Sequence, residues 1–250
     1  MTEPKRPRSE LPLVQLLPNL LTVTALCAGL TAIRFAAQGR FGFAIGLILL
    51  AAVLDGLDGR LARMLKQESQ IGAELDSLGD FVNFGVAPAL TLYFWAFQGW
   101  SSAGWIAVLI YAVCCVMRLA RFNVDSRVPH DPTAKTHFVG VPSPAGAMLV
   151  MLPMYVVFML DGMPHLPPSL VAIWMVAIGA LMISRVPTPS FKGTTFYADT
   201  ASYIVLGFVA LVAALLTYTW TTLVVLDVAY LAALGFAVRQ YRVGRSGEEE

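Results

Sequence analysis

Charge is scarce in this chain. Asp, Glu, Lys and Arg make up 13% of its 250 residues, against about 25% in a typical soluble domain, which excludes an ordinary soluble fold. Cysteine is also scarce. Cys27, Cys114 and Cys115 all lie in apolar stretches and two are adjacent, which makes a poor disulfide framework and a poor metal site; they read as small buried hydrophobes. The histidines His130, His137 and His165 are scattered and form no ligand pattern. No long polar insert is present: the longest, Asn123 to Val141, leaves no room for a soluble domain. No repeat of fixed period is visible. The net charge of +1 says little, because what matters is where the charges sit, and no nucleic-acid partner is expected.

Apolar sequence is abundant. Hydrophobic residues reach 57% and the mean hydropathy is +0.69, so the composition predicts an all-α integral membrane protein, one domain over residues 1–250. The N-terminus opens with Lys5, Arg6 and Arg8 before an apolar run from Leu11, as a signal peptide does. The run continues to about Ala37, longer than a signal core of 7–15 residues, and reads as a retained helix. Eight segments approach the ~20 apolar residues a membrane helix needs, at about 14–37, 41–63, 73–98, 103–122, 144–160, 168–185, 201–217 and 221–238. With the N-terminus inside, all 17 Lys and Arg except Arg34 and Arg40 fall on the cytoplasmic side. This bias predicts eight spans with both termini cytoplasmic. Trp95, Trp100, Trp105, Tyr218 and Trp220 fall near the outer boundary, where amphipathic rings belong. Gly42 and Gly46 form a G-x-x-x-G step, read as close helix packing or, more weakly, a dimer face.

The unusual stretch runs from Asp55 to Asp80. Positions 55, 58, 59, 62 and 63 share one face of a helix, and positions 72, 76 and 80 share one face of the next. A short turn around Lys66 to Gln70 makes the two antiparallel. Asp55, Asp58, Asp76 and Asp80 therefore converge, with Gly59, Ala62 and Gly72 as small neighbours and Arg63 as a cation. An Asp at a helix centre in a membrane costs about 2.5–3.5 kcal/mol on insertion scales, and four like charges repel besides. Hard oxygen donors in this number suit Mg²⁺, Mn²⁺ or Ca²⁺. One or two such ions would balance the charge and create a diphosphate site. The small residues leave helix backbone open to a flat nucleotide. A cation pathway is the competing class. It predicts polar residues continuing from Asp80 toward the outer face, whereas Val86 to Phe97 is almost wholly apolar and predicts a blind pocket.

The pattern Asp55-x-x-Asp58-Gly59-x-x-Ala62-Arg63, eight residues, then Gly72-x3-Asp76-x3-Asp80 resembles the signature of the CDP-alcohol phosphotransferases. These enzymes move a substituted phosphoryl group from a CDP-linked donor to an alcohol and release CMP. The flanks Leu17-Pro18-Asn19-Leu20-Leu21-Thr22, Asp76 to Pro88, Arg118 to Asn123, Phe138 to Pro144 and Ser184 to Thr188 resemble the bacterial membrane-bound branch whose acceptor is L-serine. The last two helices carry no recognised motif.

The resemblance implies that CDP-diacylglycerol and L-serine give phosphatidylserine and CMP, at the cytoplasmic face of the bacterial inner membrane. It also implies a homodimer. By it, Asp55, Asp58 and Asp76 are metal ligands for Mg²⁺ or Mn²⁺, two ions being expected, and Asp80 is the catalytic base and shares a metal. Gly59, Ala62 and Gly72 form the cytidine platform, Arg63 contacts phosphate, and Asn19 and Thr22 line the nucleotide pocket. Arg118 and Arg121, spaced i, i+3, are candidates for the serine carboxylate; Asn123, Ser143 and Lys192 are weaker ones. Glycerol 3-phosphate, inositol phosphate or choline would be alternative acceptors, the phosphorylated ones drawing on the basic group Arg118, Arg121, Arg127 and Lys135.

Overall fold

The computed structural model describes residues 17–65, 70–127, 138–161, 166–184, 187–188 and 201–246. Their helices are α1 (Leu17–Ala37), α2 (Phe41–Leu65), α3 (Gln70–Asp80), α4 (Ala87–Ala96), α5 (Ser101–Arg127), α6 (Ser143–Met159), α7 (Pro168–Ile183), α8 (Ala201–Thr217) and α9 (Thr219–Ser246). A π-helical turn, Phe81–Val86, joins α3 to α4 without a break. The protein is thus all-helical, save two-residue strands β1 (Phe138–Val139) and β2 (Pro187–Thr188), which pair antiparallel. Among the described residues, four helices are long and apolar enough to cross a membrane: Leu17–Ala37, Phe41–Leu65, Ser102–Asp125 and Thr219–Gln240. Ser143–Met159, Pro168–Ile183 and Val205–Thr217 are shorter apolar helices.

α1 and α2 pack through small side chains. Ala25, Ala28, Ala32 and Ala36 form a buried stripe on α1, facing Ala44, Ile48 and Ala51 of α2. Between helices in lipid there is no hydrophobic drive, so close van der Waals approach carries the association. Of the Gly42 and Gly46 step, Gly42 lies against the Trp220 ring of α9, 3.9 Å from where a Cβ would stand, while a Cβ at Gly46 would meet nothing within 4 Å. Both are exposed, because the alanines, not the glycines, hold the α1 interface. The large core lies between α2, α4, α5, α6 and α7. Ile45, Leu92, Tyr111, Leu149, Met151, Met175 and Ile178 are essentially inaccessible there. Of the boundary aromatics, Trp100, Trp105 and Tyr218 are exposed, while Trp95 and Trp220 pack inward on Phe158 at centroid distances of 6.4 and 4.9 Å.

The π turn has a local cause. Pro88 has no N–H and cannot bond the carbonyl of Phe84 four residues back. The backbone widens, and the N–H of Ala87 reaches the carbonyl of Val82, five back. The Phe84 carbonyl instead accepts from the Tyr111 hydroxyl at 2.9 Å, with both residues fully buried. Tyr111→Phe strands that carbonyl in the core, where an unmet acceptor costs about 1–3 kcal/mol. The expected result is a thermal midpoint in detergent lower by several degrees; an unchanged midpoint contradicts this account of the turn.

At the other helix ends, the chain turns tightly around the C-terminus of α7. Gly140 has φ +86°, and a Cβ there would stand 2.5 Å from the Met182 carbonyl oxygen and 2.8 Å from that of Ser184. Only glycine fits. Arg121 donates to the carbonyl of Ile183 at 2.9 Å, satisfying an orphan group of the last turn of α7.

Candidate active site

Of the four aspartates expected to converge, α2 and α3 bring three together. Carboxylate oxygens of Asp55, Asp76 and Asp80 all lie within 4.8 Å of one another. Asp80 is within hydrogen-bonding reach of Asp55. Its Oδ1 is buried without a partner. Asp58 is the most deeply buried of the four, at 3% exposure, and it turns toward α1. The Thr22 hydroxyl lies 2.6 Å from Asp58 Oδ2 and 3.2 Å from the Pro18 carbonyl. Its single proton goes to the shorter, charged acceptor. Asp58 Oδ1 has no partner.

Three crowded carboxylates and two orphaned buried oxygens fit a divalent cation. The donors are hard oxygens, the charge excess is negative, and the spacing lets several oxygens reach one centre. Asp55, Asp76 and Asp80 would hold such an ion, with Asp58 Oδ1 as a further donor.

Around the cluster, the small residues keep the helix surface open. A Cβ at Gly59 would meet nothing within 4 Å, and Gly59 and Gly72 are half-buried. Arg63 is exposed at the end of α2, and Asn19 is half-buried one turn before Thr22. Ala62 belongs to α2, but its side chain lies outside the described set. On the other side Arg118 stands beside Asp80, close enough for charge attraction. It donates to Ser143 Oγ at 2.8 Å, and its guanidinium lies 5.5 Å from the Phe122 ring centroid. Cys115, fully buried, reaches the same Ser143 hydroxyl. Arg121 points to α7 as described and does not share this arrangement. Asn123 donates to Ser77 Oγ at 2.9 Å, tying α5 to α3. Lys192, Lys66, Lys135, Asp199 and the three histidines lie outside the described residues.

The sequence reading missed the depth of this region. Along α4 the wall is apolar as expected, Thr91 bonding only its own helix at the Ala87 carbonyl. But α9 adds Asp227, 4% exposed, and Tyr230, whose hydroxyl is buried. The one available signal was an Asp and a Tyr three residues apart in an otherwise apolar helix.

A carboxylate cluster able to hold a metal ion, with a neighbouring arginine, is seated in a bundle of apolar helices, the class of arrangement expected of a membrane protein. A model of the CDP-alcohol phosphatidyltransferase family matches residues 15–187, and the chain belongs to that family. It is similar to a Mycobacterium leprae protein, 39% identical over 239 residues, covering 95% of this chain and 79% of that one. A Helicobacter pylori protein is 36% identical over 181 residues, covering 71% and 73% of the two chains. A Bacillus subtilis protein is 33% identical over 178 residues, covering 70% and 91%. All three are named CDP-diacylglycerol–serine O-phosphatidyltransferase.

Proposed function

We propose that the protein transfers the phosphatidyl group of CDP-diacylglycerol to L-serine, giving phosphatidylserine and CMP. The observation that carries this reading is the convergence of Asp55, Asp76 and Asp80 within 4.8 Å, set in a family that works on CDP-linked donors. The names of the relatives supply serine as acceptor.

A divalent ion bound here, Mg²⁺ or Mn²⁺, would supply positive charge to offset the diphosphate and the departing CMP oxygen. Asp55, Asp76 and Asp80 would hold it, with Asp58 as a further ligand, and a second ion would share Asp80. Thr22 fixes the Asp58 carboxylate by its hydrogen bond, so that its free oxygen faces one way. Gly59, Ala62 and Gly72 seat the cytidine against the backbones of α2 and α3; Asn19 borders it and Arg63 meets phosphate. Asp80 takes the proton of the acceptor hydroxyl as the new P–O bond forms. The bond between that phosphorus and the bridging oxygen breaks, and CMP carries the bridging oxygen away. Arg118 receives the acceptor on the far side of Asp80. Arg121 joins it only if its bond to Ile183 is released.

Eight spans complete the reading: the four long helices, the three short ones, and α3–π turn–α4 as one continuous segment. Both termini are cytoplasmic, the site faces the cytoplasm at the inner membrane, and the donor enters sideways from the lipid. A homodimer is the expected assembly.

Purified protein incubated with CDP-diacylglycerol and Mn²⁺ or Mg²⁺ tests this directly. CMP release is expected with L-serine, and much less with glycerol 3-phosphate or inositol phosphate. Chelation of the metal is expected to abolish it. Release only with a phosphorylated acceptor overturns the serine assignment; a full rate under chelation overturns the metal.

A further inference from the structure

Outside the aspartate cluster, buried polar atoms collect between α6 and α9. The hydroxyls of Tyr155 and Tyr230 and the Oδ2 of Asp227 have no hydrogen-bond partner. Asp227 and Tyr230 are three residues apart and share a face of α9, which packs on α6. Tyr155 lies near Asp227, and Tyr230 lies near Arg118. A polar track therefore leads from Asp80 through Arg118 to Tyr230, and one turn further to Asp227 and Tyr155.

The chemistry of the Arg118–Tyr230 pair is one-sided. A guanidinium has donors only, and a phenol has one donor to give. One Arg118 nitrogen is satisfied by Ser143. The Tyr230 hydroxyl has no acceptor, although a phenylalanine would fill the same space without burying a polar atom. Two sets of donors within electrostatic range of one another, one of them a buried phenol without a partner, suit a small anion that neither side chain supplies.

We propose that Arg118 and Tyr230 together hold the carboxylate of the acceptor, with the Tyr230 hydroxyl donating to one oxygen and the guanidinium to the other. This rests on the reading of the acceptor as an amino acid and extends it to a residue of α9, a helix beyond the segment 15–187 that the family model covers. A singly charged, planar carboxylate suits the pair. A phosphate monoester brings about two negative charges toward a site already holding four aspartates, while Arg121, one turn along α5 from Arg118, is engaged with Ile183. Held this way, the acceptor presents its own hydroxyl toward Asp80. The choice of acceptor is thereby made by α5 and α9, apart from the α2–α3 surface that takes the donor.

The test compares the full-length protein with Tyr230→Phe and with Tyr155→Phe. Both lose one buried phenol hydroxyl, but Tyr155 belongs to the deeper end of the track. Tyr230→Phe is expected to raise the KM for L-serine about tenfold, equivalent to about 1.4 kcal/mol, with the KM for CDP-diacylglycerol unchanged. Tyr155→Phe is expected to leave both in place. In the wild type, L-alanine is expected to compete with serine far better than ethylamine, which has no carboxylate; this holds the proposal to account even where Tyr230→Phe does not fold. An unchanged serine KM in Tyr230→Phe, the same rise in Tyr155→Phe, or equal competition by the two amines overturns the carboxylate contact alone. A wild type that releases CMP with glycerol 3-phosphate and not with serine overturns the serine reading itself.

Discussion

Asp80→Asn is expected to lower CMP release in the presence of serine by about 10²–10⁴-fold, the usual contribution of a positioned general base. The substitution keeps the size of the side chain and removes its ability to take a proton. It is a clean change because the Asp80 Oδ1 is buried without a partner, so no structural hydrogen bond is broken there. Asp80 also lies within reach of Asp55, and a shared ion would be weakened at the same time. The two effects separate in a metal titration. A base role leaves the rate low at saturating Mn²⁺, whereas a purely ligating role allows recovery as Mn²⁺ is raised. Full activity of the variant at ordinary metal concentration overturns the base assignment.

Gly29→Val is expected to be the most damaging single change away from the aspartates. A Cβ at this position would collide with Asn83 Oδ1 and stand 3.1 Å from Asn83 Cγ and 3.4 Å from its Cα. Asn83 cannot step aside, since it is 1% exposed and sits in the π turn three residues after Asp80. Overpacking of this kind costs about 1–3 kcal/mol, or several degrees in thermal midpoint for a chain of this size. The activity falls further than the stability, because α1 also carries Thr22. Pushing α1 outward lengthens the Thr22–Asp58 hydrogen bond and pulls one aspartate out of line. Gly29→Ala is expected to show the same pattern, less severely. Thermal melting in detergent and CMP release, measured on the same preparation, check both parts. A normal midpoint for Gly29→Val contradicts the close approach of α1 to the π turn.

The aspartate cluster was legible because it depends only on local periodicity. Four-residue spacing puts Asp76 and Asp80 on one face whatever the rest of the chain does, and a short connection forces α2 and α3 to be antiparallel. The lengths of the apolar runs likewise placed most helix boundaries to within a few residues, although α5 and α9 run on to Arg127 and Ser246, beyond the expected ends at 122 and 238. What could not be read were contacts between distant parts of the chain. The turn of Asp58 toward Thr22 is a choice between two neighbouring helices, and the spacing of α2 is compatible with either. Arg118 and Arg121 look alike in sequence. Their roles separate only when α7 ends beside one and Ser143 beside the other. The π turn had a local clue in Pro88, but its anchor, Tyr111, comes from 27 residues beyond Phe84. Asp227 and Tyr230 of α9 gave no sign of a role because the charged and phenolic side chains near them, Arg118 and Tyr155, lie on other helices.

The helices are unequal in a way that the surrounding lipid must feel. α6, α7 and α8 have 17, 16 and 17 residues, about 25 Å at 1.5 Å per residue. α2 and α5 have 25 and 27 residues, about 38–40 Å by the same rise. A hydrocarbon core is about 30 Å thick. Long apolar helices in a bilayer meet such a mismatch by tilting or by carrying their ends into the headgroups. The short ones meet it by drawing the leaflets together. α8, exposed along most of its length, has the least protein around it to absorb the difference. Bilayer thickness thus enters the conformational energy of the bundle, and a chain that makes phospholipid is itself seated in a membrane whose dimensions its product helps to set.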